Sequence, residues 1–297
     1  MDSTYHETVL IEEVIDSLHI TKGATYIDAT LGNGGHTIEI LKLGGRVLGI
    51  DMDPEMISIA ESRIKNLESR ENFKAVQGNF KDIDIIAKEN NWENVSGILL
   101  DLGVTNLHLK SLERGFSFEN PEAILDMRLD PITQGVKAAD LLNVLREDQL
   151  ESMLATIMEP GGARWITKRV IERRSQELIK TVGDFLEICK DLKTGKVGLN
   201  EATLPFLALR IAVNSELDNL KIGLEKAFNL LDQNGKLAVI TFHSKEEEIV
   251  TTFFKEKIRD DKSKVISLKP IVSSQKELEI NRRARSAKLR ILQKYAK

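Results

Sequence analysis

The sequence predicts an α/β fold built on a parallel sheet and interrupted by a mainly helical insert. Four short apolar runs are each entered through a glycine, the usual residue just past a helix end, and helical patterns separate them. Strands that alternate with helices form a parallel sheet covered on both faces. Residues 107–205 show no convincing buried strand and are too many for a loop. We therefore predict a sheet domain at 1–106 and 206–297 and an inserted helical domain at 107–205.

The individual elements follow from the spacing of apolar residues along the chain. The predicted parallel strands are 26–27, 47–50, 98–100 and 236–242. The clearest helix follows the second strand and has its apolar residues on one face, with Asp53 as N-cap and Pro54 at the first helical position. Further helices are predicted at 138–155, 164–189, 206–231 and 246–257. Residues 265–268 and 287–292 are predicted as strands at an antiparallel end of the sheet.

Composition and charge limit the classes of protein to which the chain can belong. The 297 residues are 41% hydrophobic, enough for a globular protein with a sizeable core. Cys189 is the single cysteine, so no internal disulfide can form and a reducing compartment is expected. No apolar stretch approaches the roughly 20 residues that span a bilayer, and we expect a cytoplasmic protein without membrane association.

The charge pattern limits how the chain can meet nucleic acid. A formal net charge of −4 argues against a protein that coats nucleic acid indiscriminately. Two basic clusters, within 164–174 and 282–290, are each interpreted most simply as solvated faces. Basic residues are therefore expected to act at a few positions.

The most informative motif is the glycine-rich segment 28–36, which follows the first apolar run and precedes a helical pattern. Glycines there let the backbone approach a cofactor closely. A dinucleotide-binding fingerprint needs a third glycine at position 37, where Thr37 stands instead. An acid, three intervening residues and Gly-x-Gly is an arrangement common among S-adenosylmethionine (SAM) methyltransferases. The motif therefore favours a SAM site over a dinucleotide site.

Two further acids follow strands, at the edge where open α/β sheets bind their ligands. Asp51 comes about 20 residues after the first glycine of the motif, the distance at which a carboxylate usually hydrogen-bonds ribose hydroxyls. Because Asp53 can cap the helix, Asp51 is available for that bond; the alternative is a turn residue. Asp101 either contacts the cofactor or an amine substrate, or forms a turn before Gly103. The five histidines lack metal-ligand spacing, so no metal is expected.

Eight longer motifs occur in an order that resembles one protein family. They lie at 6–10, 28–36, 97–104, 113–118, 125–130, 208–217, 241–244 and 284–290. Together they resemble the MraW/RsmH family, the bacterial 16S rRNA (cytosine-N4)-methyltransferases, from about residue 6 to the C-terminus. The resemblance implies an α/β, class I SAM-dependent methyltransferase sheet domain of Rossmann-like fold that carries an inserted helical substrate-recognition domain.

The resemblance also implies a cofactor, a substrate and site residues. SAM is the expected methyl donor, and the expected acceptor is a cytidine of 16S rRNA near the decoding site, within the small ribosomal subunit. The family's cofactor contacts fall on Gly34, Gly35, His36, Asp51, Phe80, Asp101 and His108, the last where the family has glutamine. For such a substrate, the candidate phosphate-binding residues are Arg114, Arg128, Arg210 and Arg285, with Arg285 first because it lies in a matched motif. A homodimer is considered as the assembly.

Several positions depart from the family's pattern. Residues 105–108 read Thr-Asn-Leu-His where the family usually has Ser-Ser-Pro-Gln, and 200–207 lack two basic groups and an amide. The cofactor positions are kept while polar positions of the insert differ. This combination fits a fast-evolving orthologue or a paralogue that methylates another rRNA cytidine. Two functions of a different kind stay open: a SAM-binding ribosome-assembly factor without turnover, and a SAM enzyme that acts on a small molecule or protein.

The expected reaction sets requirements for the site. The N4 amine of cytosine is a poor nucleophile because its lone pair is delocalised into the ring, so an acceptor placed for the transition state should help most. We assign this role to Asp101 with the Leu102 carbonyl; the alternative is that Asp101 serves only the cofactor. An extruded base needs a stacking partner. The candidates, which are core residues in the simpler interpretation, are Phe116, Phe118 and Trp165.

Overall fold

The chain forms two compact units in a computed structural model that describes residues 8–111, 113–193, 198–260, 263–266 and 269–295. The first unit comprises the chain up to Gly103 and from Leu217 onward, and the second comprises Val104–Glu216. The insert predicted from the sequence ends at residue 205, whereas the observed second unit ends at Glu216. Residues 206–216 group with the insert because Phe206 and Leu209 are buried in its core.

A seven-stranded sheet forms the centre of the first unit. Its strands are β1 (Thr25–Asp28), β2 (Arg46–Asp51), β3 (Phe73–Gln77), β4 (Val95–Asp101), β5 (Leu231–Thr241), β6 (Ser263–Val265) and β7 (Lys288–Lys294). They are ordered β3-β2-β1-β4-β5-β7-β6, and β7 runs antiparallel to both β5 and β6 while the other pairs are parallel. The predicted parallel sheet with an antiparallel end is confirmed, and strand order reverses between β1 and β4.

Helices connect the strands and build the second unit. They are α1 (Ile11–Leu18), α2 (Gly35–Lys42), α3 (Pro54–Ile64), α4 (Ile83–Glu89), α5 (Asn106–Lys110), α6 (Ala138–Val144), α7 (Glu147–Ala155), α8 (Pro160–Gln176), α9 (Val182–Cys189), α10 (Thr203–Asn214), α11 (Glu216–Leu230), α12 (Ser244–Arg259) and α13 (Gln275–Ile280). The predicted cap of α3 is confirmed, since the Asp53 carboxylate accepts a hydrogen bond of 2.8 Å from the Glu55 amide. Within the described ranges, no helix is both long and apolar enough to cross a bilayer.

Both faces of the sheet are buried. Side chains alternate between the faces, so Leu99 packs with residues of α1 and α2 while Ile98 and Leu100 pack with residues of α4, α11 and α12. Strands buried on both faces are apolar along their whole length, which is why the sequence showed them as continuous runs.

The second unit has its own apolar core. Fully buried side chains come from most of its helices: Leu125, Leu142, Leu154, Ile166, Val170 and Phe185. Helix α10 packs on α6 and α7. Among the described residues of this unit, the one strand-like pairing is an isolated bridge between Ile124 and Thr181.

Some elements differ from those predicted. Strand β3 was missed because its side chains are only partly buried at the sheet edge, so no apolar run marks it. The predicted helices 138–155, 164–189 and 206–231 are each two helices, the last broken at Ser215, whose backbone is left-handed (φ 50°). The strand predicted at 265–268 shares only Val265 with β6, which lies earlier in the chain, and residues 267 and 268 lie outside the described part of the chain.

Candidate functional site

The glycine motif forms the turn from β1 into α2, at the carboxyl edge of the sheet where strand order reverses. Gly34 has φ 79°, in the left-handed region that favours glycine, and a Cβ on it would lie 3.2 Å from the Cβ of Ala60. A Cβ on Gly35 would overlap Oγ1 of Thr8. The glycines are therefore required by the packing of the turn itself.

The Asp51 carboxylate holds this turn against the end of β2. Its Oδ2 accepts a hydrogen bond of 2.7 Å from the Gly32 amide, and its Oδ1 accepts one of 2.9 Å from the Asp53 amide. From the sequence, Asp51 is expected to be available because Asp53 caps α3. The structure shows that Asp53 caps α3 and that the Asp51 carboxylate also holds the glycine turn, while its bond to ribose hydroxyls stays a prediction.

Asp28 is buried at the end of β1 and titrates abnormally. Desolvation raises the pKa of its carboxyl to about 6, against hydrogen bonds from the Thr37 hydroxyl and the Thr30 amide, while the nearby Asp51 charge adds to the rise. The Thr37 bond is 2.8 Å long. From the sequence, Thr37 marks only the position where a dinucleotide-binding fingerprint would have glycine. The signal for its hydrogen bond to Asp28 was a hydroxyl nine residues after an acid at a strand end.

A ring nitrogen of His36, Nδ1, faces a carboxylate oxygen of Asp101, Oδ2, and both atoms are hydrogen-bond acceptors. His36 is 4% exposed, its Nε2 lies 3.1 Å from the Val9 carbonyl oxygen, and burial lowers its pKa to about 4. The neutral ring therefore donates from Nε2, because a carbonyl only accepts, and Nδ1 keeps its lone pair. Nδ1 is 3.9 Å from Oδ2 of Asp101. An N–H donor of a ligand suits this pair of acceptors.

The end of β4 is fixed to the turn after β1. The Asp101 amide donates a hydrogen bond of 2.6 Å to the Thr30 hydroxyl. Thr30 and Val9 lie within the motifs 28–36 and 6–10, but neither was singled out from the sequence as a site residue, because neither side chain carries a charge.

Phe80 begins a short 3-10 turn, Phe80–Asp82, after β3. The Gly78 amide donates to the Asp51 carbonyl oxygen (2.8 Å), which joins this loop to the end of β2. The Phe80 ring approaches α11 at Gly223, where a Cβ would lie 2.6 Å from Cδ2 of the ring. A glycine inside a helix lowers stability by up to about 1 kcal/mol relative to alanine. The close approach of the Phe80 ring explains why Gly223 is nevertheless found in α11.

The predicted residues of the second unit have contacts of their own there. His108 is 3% exposed, and its Nδ1 accepts a hydrogen bond of 3.1 Å from the Thr105 amide at the start of α5. Its ring centroid is 5.3 Å from that of Phe116. Phe116 lies in the core of the unit, and Phe118 and Trp165 pack against that core. These contacts are those of a helix cap and of core aromatics.

Two of the predicted RNA-binding arginines are held in internal ion pairs. Arg128 donates two hydrogen bonds of 2.7 and 2.8 Å to Asp126. Arg210 donates two of 2.8 and 2.9 Å to Glu216. The two arginine side chains are only 13% and 16% exposed. Paired bidentate geometry thus engages both arginines within the second unit, and their binding to RNA stays a prediction.

Arg285 is exposed and lies in the turn Arg282–Ser286, just before β7. Lys288, also exposed, is paired in register with Thr241 at the carboxyl end of β5. The two cations therefore lie on the same edge of the sheet as the strand-end acids. The side chains of Arg282 and Arg283, in the same basic cluster, lie outside the described part of the chain.

Replacing Asp28 with Asn should change how stability depends on pH. A folded-state pKa of about 6 against 3.8 means that the carboxyl binds its proton more tightly in the folded chain. Its contribution to stability is therefore greatest below about pH 4 and is lost as the pH rises through about 6. Across that window, the free energy of unfolding of the wild type should fall by about 3 kcal/mol relative to that of Asp28→Asn. Urea unfolding of both proteins at several pH values measures this, and parallel pH profiles would contradict it.

Gly223→Ala should destabilise the protein by about 1–3 kcal/mol, because the new methyl group overlaps the Phe80 ring. In a Phe80→Ala background the same change should cost little, as a double-mutant cycle of urea unfolding measures. Gly162→Ala on α8 is the control, since its Cβ meets only ordinary contacts of 3.4 Å or more. An equal cost of Gly223→Ala in both backgrounds would disprove the clash.

Comparison with known proteins places these observations in a family. A model of the MraW methylase family matches residues 3–295. The ribosomal RNA small subunit methyltransferase H of Sulfurihydrogenibium sp. is 39% identical over 293 residues, which cover 96% of this chain and 98% of that protein. The protein of the same name from Clostridium botulinum is 38% identical over 309 residues, with 97% and 98% covered. A solved rRNA methylase from Streptococcus thermophilus is 11% identical, with a TM-score of 0.48 and 97% and 98% covered. The family match extends over nearly the whole chain, and the protein belongs to the MraW methylase family.

Proposed function

We propose that this protein is a SAM-dependent methyltransferase that methylates N4 of a cytidine in 16S rRNA, near the decoding site of the small subunit. The observation that carries the proposal is the pair of facing acceptors, His36 Nδ1 and Asp101 Oδ2, beside a glycine turn at the reversal point of the sheet. Relatives named ribosomal RNA small subunit methyltransferase H support rRNA as the substrate. The resemblance of the motifs supports cytosine N4 as the acceptor.

The residues at the strand ends fit SAM. His36 and Asp101 offer acceptors for the ammonium group of its methionine part, and the apolar ring of Phe80 suits the adenine. Asp51, which already shapes the turn, offers a carboxylate for the ribose hydroxyls. When bound, SAM would supply a sulfonium methyl group; its transfer to N4 would break the carbon–sulfur bond, release S-adenosylhomocysteine and leave one N4 proton to pass to solvent.

Asp101 is proposed to act on the acceptor amine as well as on the cofactor. A carboxylate that accepts a hydrogen bond from N4 draws electron density toward the nitrogen as it rehybridises, so the bond is stronger in the transition state than in the ground state. The Leu102 carbonyl is proposed as a second acceptor. By holding the amine in line with the methyl group, the end of β4 also supplies orientation.

The RNA is proposed to bind along the same edge of the sheet and on the second unit. Arg285 and Lys288 are exposed there and suit phosphates. The insert is proposed as a substrate-recognition domain, and His108 as a cofactor contact, through the resemblance alone. The assembled small subunit as substrate, the cytoplasm as compartment and a homodimer belong to the same proposal.

A second candidate is a SAM-binding ribosome-assembly factor without turnover. The use of His108 and Thr105 as a helix cap, where the family usually has different residues, is the observation that favours it.

Methyl-labelled SAM distinguishes these functions. We expect purified protein to transfer label to 16S rRNA in small subunits, and mass mapping to locate it as N4-methylcytidine. Naked rRNA and ribosome-free extract are the parallel acceptors. SAM binding without transfer to any of the three would identify the assembly factor, and label confined to small molecules of the extract would contradict the proposal.

Asp101→Asn should lower kcat at saturating SAM by about 100-fold or more, because the amide is a weaker acceptor for the N4 amine. Steady-state kinetics with SAM and RNA varied separately measures this, and calorimetry reports SAM binding. A rise in the KM for SAM with unchanged kcat would restrict Asp101 to the cofactor, and unchanged kinetics would remove it from the site.

A further inference from the structure

None of the residues proposed above to bind the cofactor or the RNA belongs to the N-terminal motif at 6–10. Residues 6 and 7 lie outside the described part of the chain, whereas Thr8, Val9 and Leu10 are described and pass along the start of α2. The Val9 carbonyl accepts the hydrogen bond from His36, and the Thr8 hydroxyl fills the space beside Gly35. Val9 and Leu10 are buried. This segment therefore packs directly on the residues proposed to bind the cofactor.

The backbone of this segment is fixed from the other end of the sequence. Leu10 is fully buried and has φ 54°, a left-handed conformation that is uncommon for a residue other than glycine. Its amide donates a hydrogen bond of 2.8 Å to Oε1 of Glu277 on α13, 267 residues away in sequence. The Glu277 amide in turn donates 3.2 Å to the hydroxyl of Ser274, which caps α13. The Glu277 carboxylate thus holds the N–H of the same peptide group whose carbonyl, that of Val9, faces His36.

The proton of His36 has two competing acceptors. A neutral imidazole carries one proton. On Nε2 the proton bonds to the Val9 carbonyl, and on Nδ1 it would face the Asp101 carboxylate, whose Oδ2 is 3.9 Å away. While Val9 is in place, Nδ1 keeps its lone pair. If the Val9 carbonyl moved away, Nδ1 would take the proton and donate to Asp101. Nδ1 would then be a donor and could no longer accept a hydrogen bond from a ligand.

We propose that Glu277 is a positioning residue for the cofactor site. By holding the Leu10 amide it keeps the Val9 carbonyl on His36, and so keeps His36 in the Nε2–H tautomer with Nδ1 as an acceptor for the ammonium group of SAM. The inference rests on the proposed function only where it names SAM as the ligand. The tautomer of His36 is a property of the protein alone.

The test uses full-length protein with ¹⁵N-labelled histidine. Long-range ¹H–¹⁵N spectra of His36 report which ring nitrogen carries the proton, and calorimetry reports SAM binding. Glu277→Ala should shift the His36 signals toward the Nδ1–H form and weaken SAM binding about tenfold, equivalent to about 1.4 kcal/mol. Glu277→Gln keeps an acceptor oxygen and should stay close to wild type. Glu279→Ala removes an exposed carboxylate of the same helix and should change neither readout.

A wild-type His36 spectrum and wild-type SAM affinity in Glu277→Ala would overturn the inference. If that variant does not fold, Glu277→Asp replaces it, since its shorter side chain keeps the charge but retracts the oxygen from Leu10, and it should move both readouts in the same direction. A tautomer shift in a protein that binds no SAM would support the positioning role and count against the proposed function.

Discussion

Asp51 joins three loops at the carboxyl edge of the sheet, and the candidate site depends on this junction. Its carboxylate holds the Gly32 amide of the turn after β1 and the Asp53 amide at the start of α3, while its carbonyl oxygen holds the Gly78 amide after β3. The positions of His36 and Phe80 follow from these loops. A strand-end carboxylate here therefore sets the shape of the binding surface before it meets any ligand.

Two segments far apart in the sequence meet beside His36, where the Leu10 amide donates to Glu277. Leu10 belongs to the first family-like motif, and Glu277 precedes the last one by only a few residues. The hydroxyl of Ser273 donates 3.0 Å to the Ala284 carbonyl, next to Arg285. One short segment of the C-terminal region thus contacts both the N-terminal support of His36 and the turn that carries the proposed phosphate-binding arginine.

Much of the fold and of the strand-end chemistry could be predicted from the sequence, because both are set by local patterns. Asp28, Asp51 and Asp101 lie at strand ends, as predicted, since a parallel sheet brings the ends of its apolar runs to one edge. The tautomer of His36 could not be predicted, because it depends on Val9 and, through Leu10, on a residue 267 positions away. Such pairings leave no periodic signal.

The arginines show a second limit of sequence reasoning. Charge alone marked the cluster in α8 as solvated, yet Arg173 pairs with Asp184 at 3.1 Å and Arg174 donates to the carbonyls of Leu142 and Leu145. Arg128 and Arg210 are likewise engaged within the second unit. Whether a guanidinium group meets a carboxylate or the solvent is decided by tertiary packing, which composition does not report.

A crystal structure with S-adenosylhomocysteine bound tests the central claim most directly. The amino nitrogen of the ligand should lie within hydrogen-bonding distance of both His36 Nδ1 and the Asp101 carboxylate, with the ribose hydroxyls on Asp51. An amino group bound by different residues, with His36 Nδ1 turned to Asp101 alone, would contradict it.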